Sequence, residues 1–260
     1  MKKNLIIVFL FGIVIQSNTA ISQLSDKEWD LMLIREDKVW PSMTDEYEMT
    51  LADLKEFLSE KEVQSFYYFT HMQDDYRFTH VTPIQNFNDL SKGIRSFMSK
   101  EVNDPELDLI FNFLNESIES YRYYLVQYRP EYSYIAKGDD WGEGNPYRKW
   151  SYYYFHTGSE KEVEMILAAW KQLYQKNEIN KGFRVFSGFL GVDQPLYILT
   201  TWAKDPSDYH TNLENISALL GESGIALWNK MMQNVRTTET VEGWFLPQYS
   251  YAPGMKLAVD

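Results

Sequence analysis

The second half of the chain alternates between runs that favour strands and runs that favour helices. Trp150 to Thr157 (WSYYYFHT) is dense in aromatic residues, which are typical of β-strands. Ser159 and Glu162 then have the spacing of a capping box, which predicts the start of a helix. After them apolar residues recur at three- and four-residue steps and define one helical face: Val163, Ile166, Leu167, Trp170 and Tyr174.

The rest of this half predicts two more strands, a second helix and a closing strand. Residues 183–190 and 196–203 form the strands around a turn that contains Gly191 and Pro195. Asp205-Pro206 opens the helix, because Asp is a good cap and Pro fits the first helical position. Gly221 and Gly224 interrupt that helix, and residues 241–246 form the last strand. The predicted order is βαββαβ.

The first half follows the same order less cleanly. Its predicted elements are a strand at 31–35, a helix around Tyr47 to Leu58, and a hairpin of strands at 65–71 and 76–84. A helix capped within Asn86 to Asp89, its continuation after Asp104-Pro105, and a closing strand at 121–128 complete the half.

A short motif recurs at the end of each half. Pro130-Glu131-Tyr132-Ser133-Tyr134 matches Pro247-Gln248-Tyr249-Ser250-Tyr251, at an offset of about 117 residues. Together with the repeated element order, this predicts two copies of one unit, at 23–137 and 149–260, joined by a linker at 138–148. The motif follows the last strand of each unit, so we predict a structural latch whose tyrosine hydroxyls reach backbone or water. A ligand gate is the alternative.

The first 22 residues have the pattern of a secretory signal peptide. Lys2 and Lys3 precede an apolar run from Leu5 to Ile15, which is too short to span a bilayer. Ala20 and Ser22 are suitable cleavage positions, and the alternative is an uncleaved membrane anchor. We therefore predict an exported protein, periplasmic or extracellular, that has no membrane association after cleavage.

Composition narrows the class of protein and of partner. Aromatic residues make up 16% of the chain, which is typical of a packed protein and not of a disordered one. The net charge of −12 disfavours nucleic acid as a partner, because an acidic surface repels phosphate. The chain contains no Cys, which excludes disulfides and thiolate chemistry. The oligomeric state stays open.

The strands carry aromatic residues on both faces, so we expect each sheet to be covered on both sides. The predicted fold class is α+β, with two tandem βαββαβ ferredoxin-like units packed sheet to sheet. This order of elements, and Lys38-Val39-Trp40-Pro41 leading into Tyr47-Glu48, resembles the dimeric α/β-barrel group. That group includes antibiotic-biosynthesis monooxygenase-like and NIPSNAP-like domains. The resemblance implies a range of activities, from oxygenases and haem enzymes to proteins of no known activity.

Candidate site residues come from the strands. His156, Trp150, Tyr152 and Tyr154 share one face of a strand, and His156 is expected in the barrel interior. Arg77 and Arg184 lie within strands, where an arginine either faces solvent or enters a cavity. His71 and His80 flank the predicted hairpin and could face each other across it. The alternative to a functional role for these two histidines is an ordinary surface or core position.

No motif in the chain specifies a reaction. The histidines do not form an HExxH or H-x₃-H pair, and there is no G-x-S-x-G, so no metal site and no serine nucleophile are predicted. Three functions remain open. The first is binding of a small, largely apolar or aromatic ligand between the sheets, without a cofactor. The others are a cofactor-free monooxygenase-like or haem-linked enzyme, and a structural protein with a filled barrel.

Overall fold

The computed structural model describes residues 31–84, 104–139, 144–255 and 257. In the first half the elements are β1 (Leu31–Val39), α1 (Thr44–Glu60), β2 (Phe69–Gln73), β3 (Arg77–Ile84), α2 (Pro105–Glu116) and β4 (Ile118–Tyr128). In the second half they are β5 (Tyr147–Phe155), α3 (Glu160–Lys176), β6 (Arg184–Leu190), β7 (Leu196–Ala203), α4 (Pro206–Asn234) and β8 (Val235–Phe245).

The eight strands form one closed antiparallel barrel. Their order around it is β1-β3-β2-β8-β5-β7-β6-β4, so each half contributes four adjacent strands. The halves join edge to edge where β2 pairs with β8 and β4 pairs with β6. Closure leaves no sheet edge unpaired. The predicted α+β class, with ferredoxin-like halves that close on each other, is confirmed.

Several element boundaries differ from the prediction. β1 extends to Val39, β5 begins at Tyr147 within the predicted linker, and β8 begins at Val235. Ser159 does not cap α3 with its side chain, because its hydroxyl donates to the carbonyl of His156 at 2.6 Å. The helix that is predicted to begin within Asn86 to Asp89 lies outside the described residues.

β1 and α1 can be aligned residue by residue with β5 and α3 through the strand register. The pairing of β1 with β4 shifts between Lys38 and Val39, and that of β5 with β8 shifts between Tyr154 and Phe155. α1 and α3 each contain 17 residues and begin at matching positions after those strands. A residue of β1 or α1 therefore corresponds to the residue 116 positions later in β5 or α3.

The repeated motif forms a reciprocal latch, as predicted. Ser250 accepts a hydrogen bond from the Thr70 amide at 2.8 Å, and Ser133 accepts one from the Val185 amide at 2.9 Å. Each serine thus satisfies a strand amide of the other half, which would otherwise be buried without a partner.

The tyrosine after each serine also crosses to the other half. Tyr251 donates to the carbonyls of Leu58 and Val63 at 3.0 and 2.6 Å, and Tyr134 donates to that of Ile179 at 2.7 Å. The hydroxyls reach backbone, and no ligand gate is needed to explain the motif.

No helix in the described part of the chain is long and apolar enough to cross a membrane.

Candidate functional site

The barrel interior brings together three of the predicted site residues. Trp150 and Tyr152 on β5 are buried in a packed cluster that includes Ile34 and Tyr124. His71 on β2 lies edge-on to Trp150, with 5.1 Å between ring centroids. Burial lowers the pKa of His71 well below its usual value, and the nearby positive charge of Arg148 adds to that effect.

Arg77 belongs to a network of paired charges at the same barrel. The Tyr152 hydroxyl lies 3.1 Å from that of Tyr124, which donates to Glu36 Oε1 at 2.6 Å. Glu36 is buried, and its other oxygen lies 2.6 Å from Arg122 Nε and 3.6 Å from Arg77. These charges compensate one another, so the network has a structural explanation.

Two further predicted residues make cation–π contacts. The Arg236 guanidinium lies 5.4 Å from the ring centroid of half-buried Tyr154. The Arg184 guanidinium lies 5.8 Å from that of Trp202, and burial lowers the pKa of Arg184. Neither Tyr154 nor Arg184 lines the cavities described below.

The predicted position of His156 in the barrel interior is wrong. β5 ends at Phe155, and His156 is exposed on the turn that follows, where its amide donates to the Asn234 carbonyl at 2.9 Å. Side chains alternate between the two faces of a sheet only within a strand, so the alternation that predicted an inward-facing His156 ends at Phe155.

His71 and His80 do not face each other. In the hairpin, His71 pairs with Thr79 and His80 pairs with Thr70. Because neighbouring strand residues point to opposite faces, His71 enters the barrel and His80 points toward α1. The contact predicted for the two imidazoles is therefore incorrect.

A cavity of about 550 Å³ lies between the second-half strands and helices α3 and α4. The sheet side of its wall includes Lys149, Ser151 and Tyr153 on β5, which face away from the barrel interior. Trp170 and Tyr174 of α3 line the opposite side. The space is thus outside the barrel, whereas we predicted a ligand between the sheets.

Helix α4 leaves this cavity partly open. The helix is interrupted at Gly221, whose φ of 51° and ψ of −139° suit a residue without a Cβ. Leu213, Ile225 and Trp228 of α4 line the cavity, yet they are 46%, 62% and 43% exposed. The opening is therefore bordered by large apolar side chains.

Few polar groups reach this cavity. Lys149 Nζ lies 2.8 Å from Glu242 Oε1 and 5.0 Å from the ring centroid of Tyr209. Tyr197 donates from its hydroxyl to Glu164 at 3.0 Å, and burial raises its pKa. Burial also raises the pKa of Tyr153, so both phenols are neutral at pH 7. Apolar walls with a few placed polar groups are typical of small-molecule sites.

The corresponding space in the first half is small and polar. It holds a cavity of about 40 Å³ beside a buried cluster under α1. Tyr47 donates to Asp37 Oδ2 at 2.7 Å and lies 2.8 Å from His80 Nε2. His80 Nδ1 lies 3.0 Å from Thr70 Oγ1, and Arg35 donates to Asp37 at 2.7 Å. These groups satisfy one another and leave room for a few waters at most.

The cavity residues lie on the face of β5 opposite to the predicted one. Trp150, Tyr152 and Tyr154 are the predicted set, and they alternate along the strand with Lys149, Ser151 and Tyr153. Two signals were present. Lys149 and Ser151 are polar positions in an aromatic strand, and Gly221 with Gly224 interrupts the helix that covers them.

Several solved structures resemble this chain. A candidate monooxygenase from Lactobacillus acidophilus NCFM has a TM-score of 0.57 at 7% identity, and the match covers 90% of this chain and 100% of that one. An anthrone oxidase-like protein has a TM-score of 0.58 at 12% identity, covering 90% and 98%. A mutant chlorite dismutase from Candidatus Nitrospira defluvii has a TM-score of 0.54 at 9% identity, covering 87% and 95%.

No family model and no curated protein matches the sequence. At such low identities the structural likenesses show the fold alone, which is the ferredoxin-like dimeric α/β barrel.

Proposed function

We propose that this protein binds a small, largely apolar or aromatic molecule in the cavity between the second sheet and helices α3 and α4. The cavity of about 550 Å³ carries this proposal. Its volume falls within the range of known small-molecule sites, and its walls include Tyr153, Trp170, Tyr174 and Trp228. A purely structural role does not explain a cavity of this size, although the packed barrel interior is consistent with a structural role.

Fluorescence of N-phenyl-1-naphthylamine, a neutral apolar probe, tests the proposal. We expect saturable binding by the native protein, and a loss of at least tenfold in affinity for Leu199→Trp, which fills the cavity from its floor on β7. Leu190→Trp is the matched control, because Leu190 is 61% exposed and does not line the cavity. Equal binding by both variants would place the probe elsewhere and reject this site.

A second candidate is cofactor-free oxygenation of the bound molecule. The likeness to the candidate monooxygenase and the anthrone oxidase-like protein supports it. In such a reaction an anthrone takes up one O₂ and gives an anthraquinone and one water, so the substrate supplies all the electrons. Oxygen uptake with anthrone should exceed the rate without protein and should fall in Leu199→Trp. Binding without any such uptake would leave the protein as a binder.

Haem does not fit the side chains that line this cavity. A haem iron needs an axial ligand, most often His, and the described lining residues include no histidine. His156 and His210 are both exposed and lie outside the lining. Lys149, a cation that could meet a propionate, already pairs with Glu242. We therefore assign no step to haem.

We also propose that the chain is exported and that its halves arose by duplication of one unit. The apolar run from Leu5 to Ile15 after Lys2 and Lys3 supports export. The matched strand irregularities and the reciprocal latch support duplication. Sequencing of the mature amino terminus should find Ile21 or Gln23 as the first residue, whereas recovery of Met1 would reject cleavage.

A further inference from the structure

One charged side chain lies among the described residues that line the second-half cavity. Lys149 is on β5, and its strand neighbour across the sheet is Glu242 on β8. The ammonium lies 2.8 Å from the Glu242 carboxylate, and the side chains are 20% and 36% exposed. The other described lining residues are uncharged at pH 7, since they are apolar, aromatic, hydroxyl-bearing or glycine.

The pair supplies hydrogen-bond donors to the cavity without a net charge. A lysine ammonium has three N–H donors, and one of them is directed at Glu242. A ligand oxygen can accept one of the other two. Because the carboxylate cancels the lysine charge at short range, an anionic ligand gains little attraction from Lys149 and is repelled by Glu242.

The positions of the first half that correspond to this ion pair carry no charge. At the corresponding positions of the first half, Leu33 on β1 pairs with Leu125 on β4, and both are buried. The fold therefore does not require a charge pair at this place in the sheet. The presence of the ion pair therefore relates to the large cavity and not to the requirements of the sheet.

We propose that Lys149 and Glu242 make the cavity select neutral ring compounds that carry an oxygen acceptor, such as a phenol or a ketone, over carboxylates. This inference rests on the proposed function. Lys149 binds the ligand oxygen, and Glu242 determines specificity by neutralising Lys149. A carboxylate ligand would lose its hydration on entering an apolar cavity and find no uncompensated cation there.

Competition between two matched ligands tests this proposal. 2-Naphthol is neutral at pH 7, and 2-naphthoate has the same rings with an ionised carboxylate. Displacement of N-phenyl-1-naphthylamine should show that the native protein prefers 2-naphthol by roughly tenfold, which corresponds to about 1.4 kcal/mol. Glu242→Gln leaves the lysine charge uncompensated, so the preference should reverse in favour of 2-naphthoate. Lys149→Met should weaken 2-naphthol binding several-fold more than it weakens binding of the apolar probe.

Glu119→Gln is the matched control, because Glu119 pairs with Lys38 at 3.1 Å on the surface of the other half. It should leave the preference unchanged. If the apolar probe does not bind the native protein, the proposed function itself fails. If the probe binds but the ratio of the two ligands is the same in Glu242→Gln, only the role of Glu242 is rejected.

Discussion

The two cavities described above, one under α1 and one under α3 and α4, differ more than tenfold in volume. The first-half cavity measures about 40 Å³, and the second-half cavity measures about 550 Å³. The frameworks nevertheless agree in strand register and in the length of α1 and α3. Within these elements the two cavities therefore differ in their side chains.

Corresponding positions have opposite polarity around the centre of each space. Asp37 corresponds to Tyr153, and Arg35 to Ser151, by the common offset of 116 residues. His80 pairs with Arg35 in the first half, and Leu199 pairs with Ser151 in the second. At these three positions the first half thus has two charged groups and an imidazole, whereas the second half has a phenol, a hydroxyl and an apolar side chain.

This exchange explains why the described space under α1 is too small for a ligand. Buried charged groups need short contacts with partners, and Tyr47 of α1 lies 2.7 Å from Asp37. Such contacts keep α1 close to its sheet. In the second half Val163 occupies the position of Tyr47 and makes no polar contact of that kind.

Removing the charge at the centre of the first-half cluster should have the largest effect. Asp37→Ala leaves Arg35 and Tyr47 without their common acceptor, and we expect a loss of about 3 to 5 kcal/mol in the free energy of unfolding. Urea unfolding measures it.

Tyr153→Phe alters the corresponding position of the second half and is the control. Its hydroxyl lies beside an open cavity, so the loss should be less than about 1 kcal/mol. Comparable losses in both variants would show that the two centres do not differ as described.

Acid should destabilise the first half through His71. Its folded-state pKa is depressed, so below pH 6.5 the unfolded chain binds more protons than the folded one. The stabilisation is complete above the unfolded value of about 6.5, and it is lost as the pH falls, by up to about 1.4 kcal/mol per unit.

His71 on β2 corresponds to Phe186 on β6, because their strand partners Thr79 and Ile198 pair in turn with Glu36 and Tyr152, which are 116 residues apart. His71→Phe introduces that residue type and removes this titration. Unfolding free energies of both proteins at pH 7, 6 and 5 should converge as the pH falls. His156→Gln, a change at an exposed position, should follow the native protein. Parallel curves for His71→Phe and native protein would assign the acid sensitivity to other groups.

The fold was predictable because it depends on repeated local signals. The aromatic runs, the helical stripe from Val163 to Tyr174 and the Asp205-Pro206 start each correspond to an observed element. The serine and tyrosine of the repeated motif also revealed the latch. Boundaries failed where a strand continued through polar residues, as in β8, which begins at Val235 in a run of threonines.

The site was less predictable, because it depends on which face of a strand lies opposite a helix that leaves a cavity above the sheet. Periodicity separated Tyr152 from Tyr153 but could not say that the first is packed and the second lines a cavity. No local signal in the sequence gives the distance between α4 and β5.

A matched pair of leucines gives the finest measure of the difference between the halves. Leu51 of α1 and Leu167 of α3 occupy corresponding positions and are 2% and 5% exposed. Both leucines are packed in the core of their own half, but Leu51 borders the space of about 40 Å³ and Leu167 borders the cavity of about 550 Å³, so Leu167 has fewer neighbours on its cavity side. Truncation to alanine costs the lost transfer energy and the lost contacts, typically about 2 to 5 kcal/mol. We therefore expect the loss in free energy of unfolding, measured in urea, to be larger for Leu51→Ala than for Leu167→Ala by roughly 1 kcal/mol.

Saturation with N-phenyl-1-naphthylamine should widen that difference if Leu167→Ala enlarges the probe's site, because bound ligand stabilises only the folded state. Equal costs without ligand would mean that the second-half cavity is closed in solution.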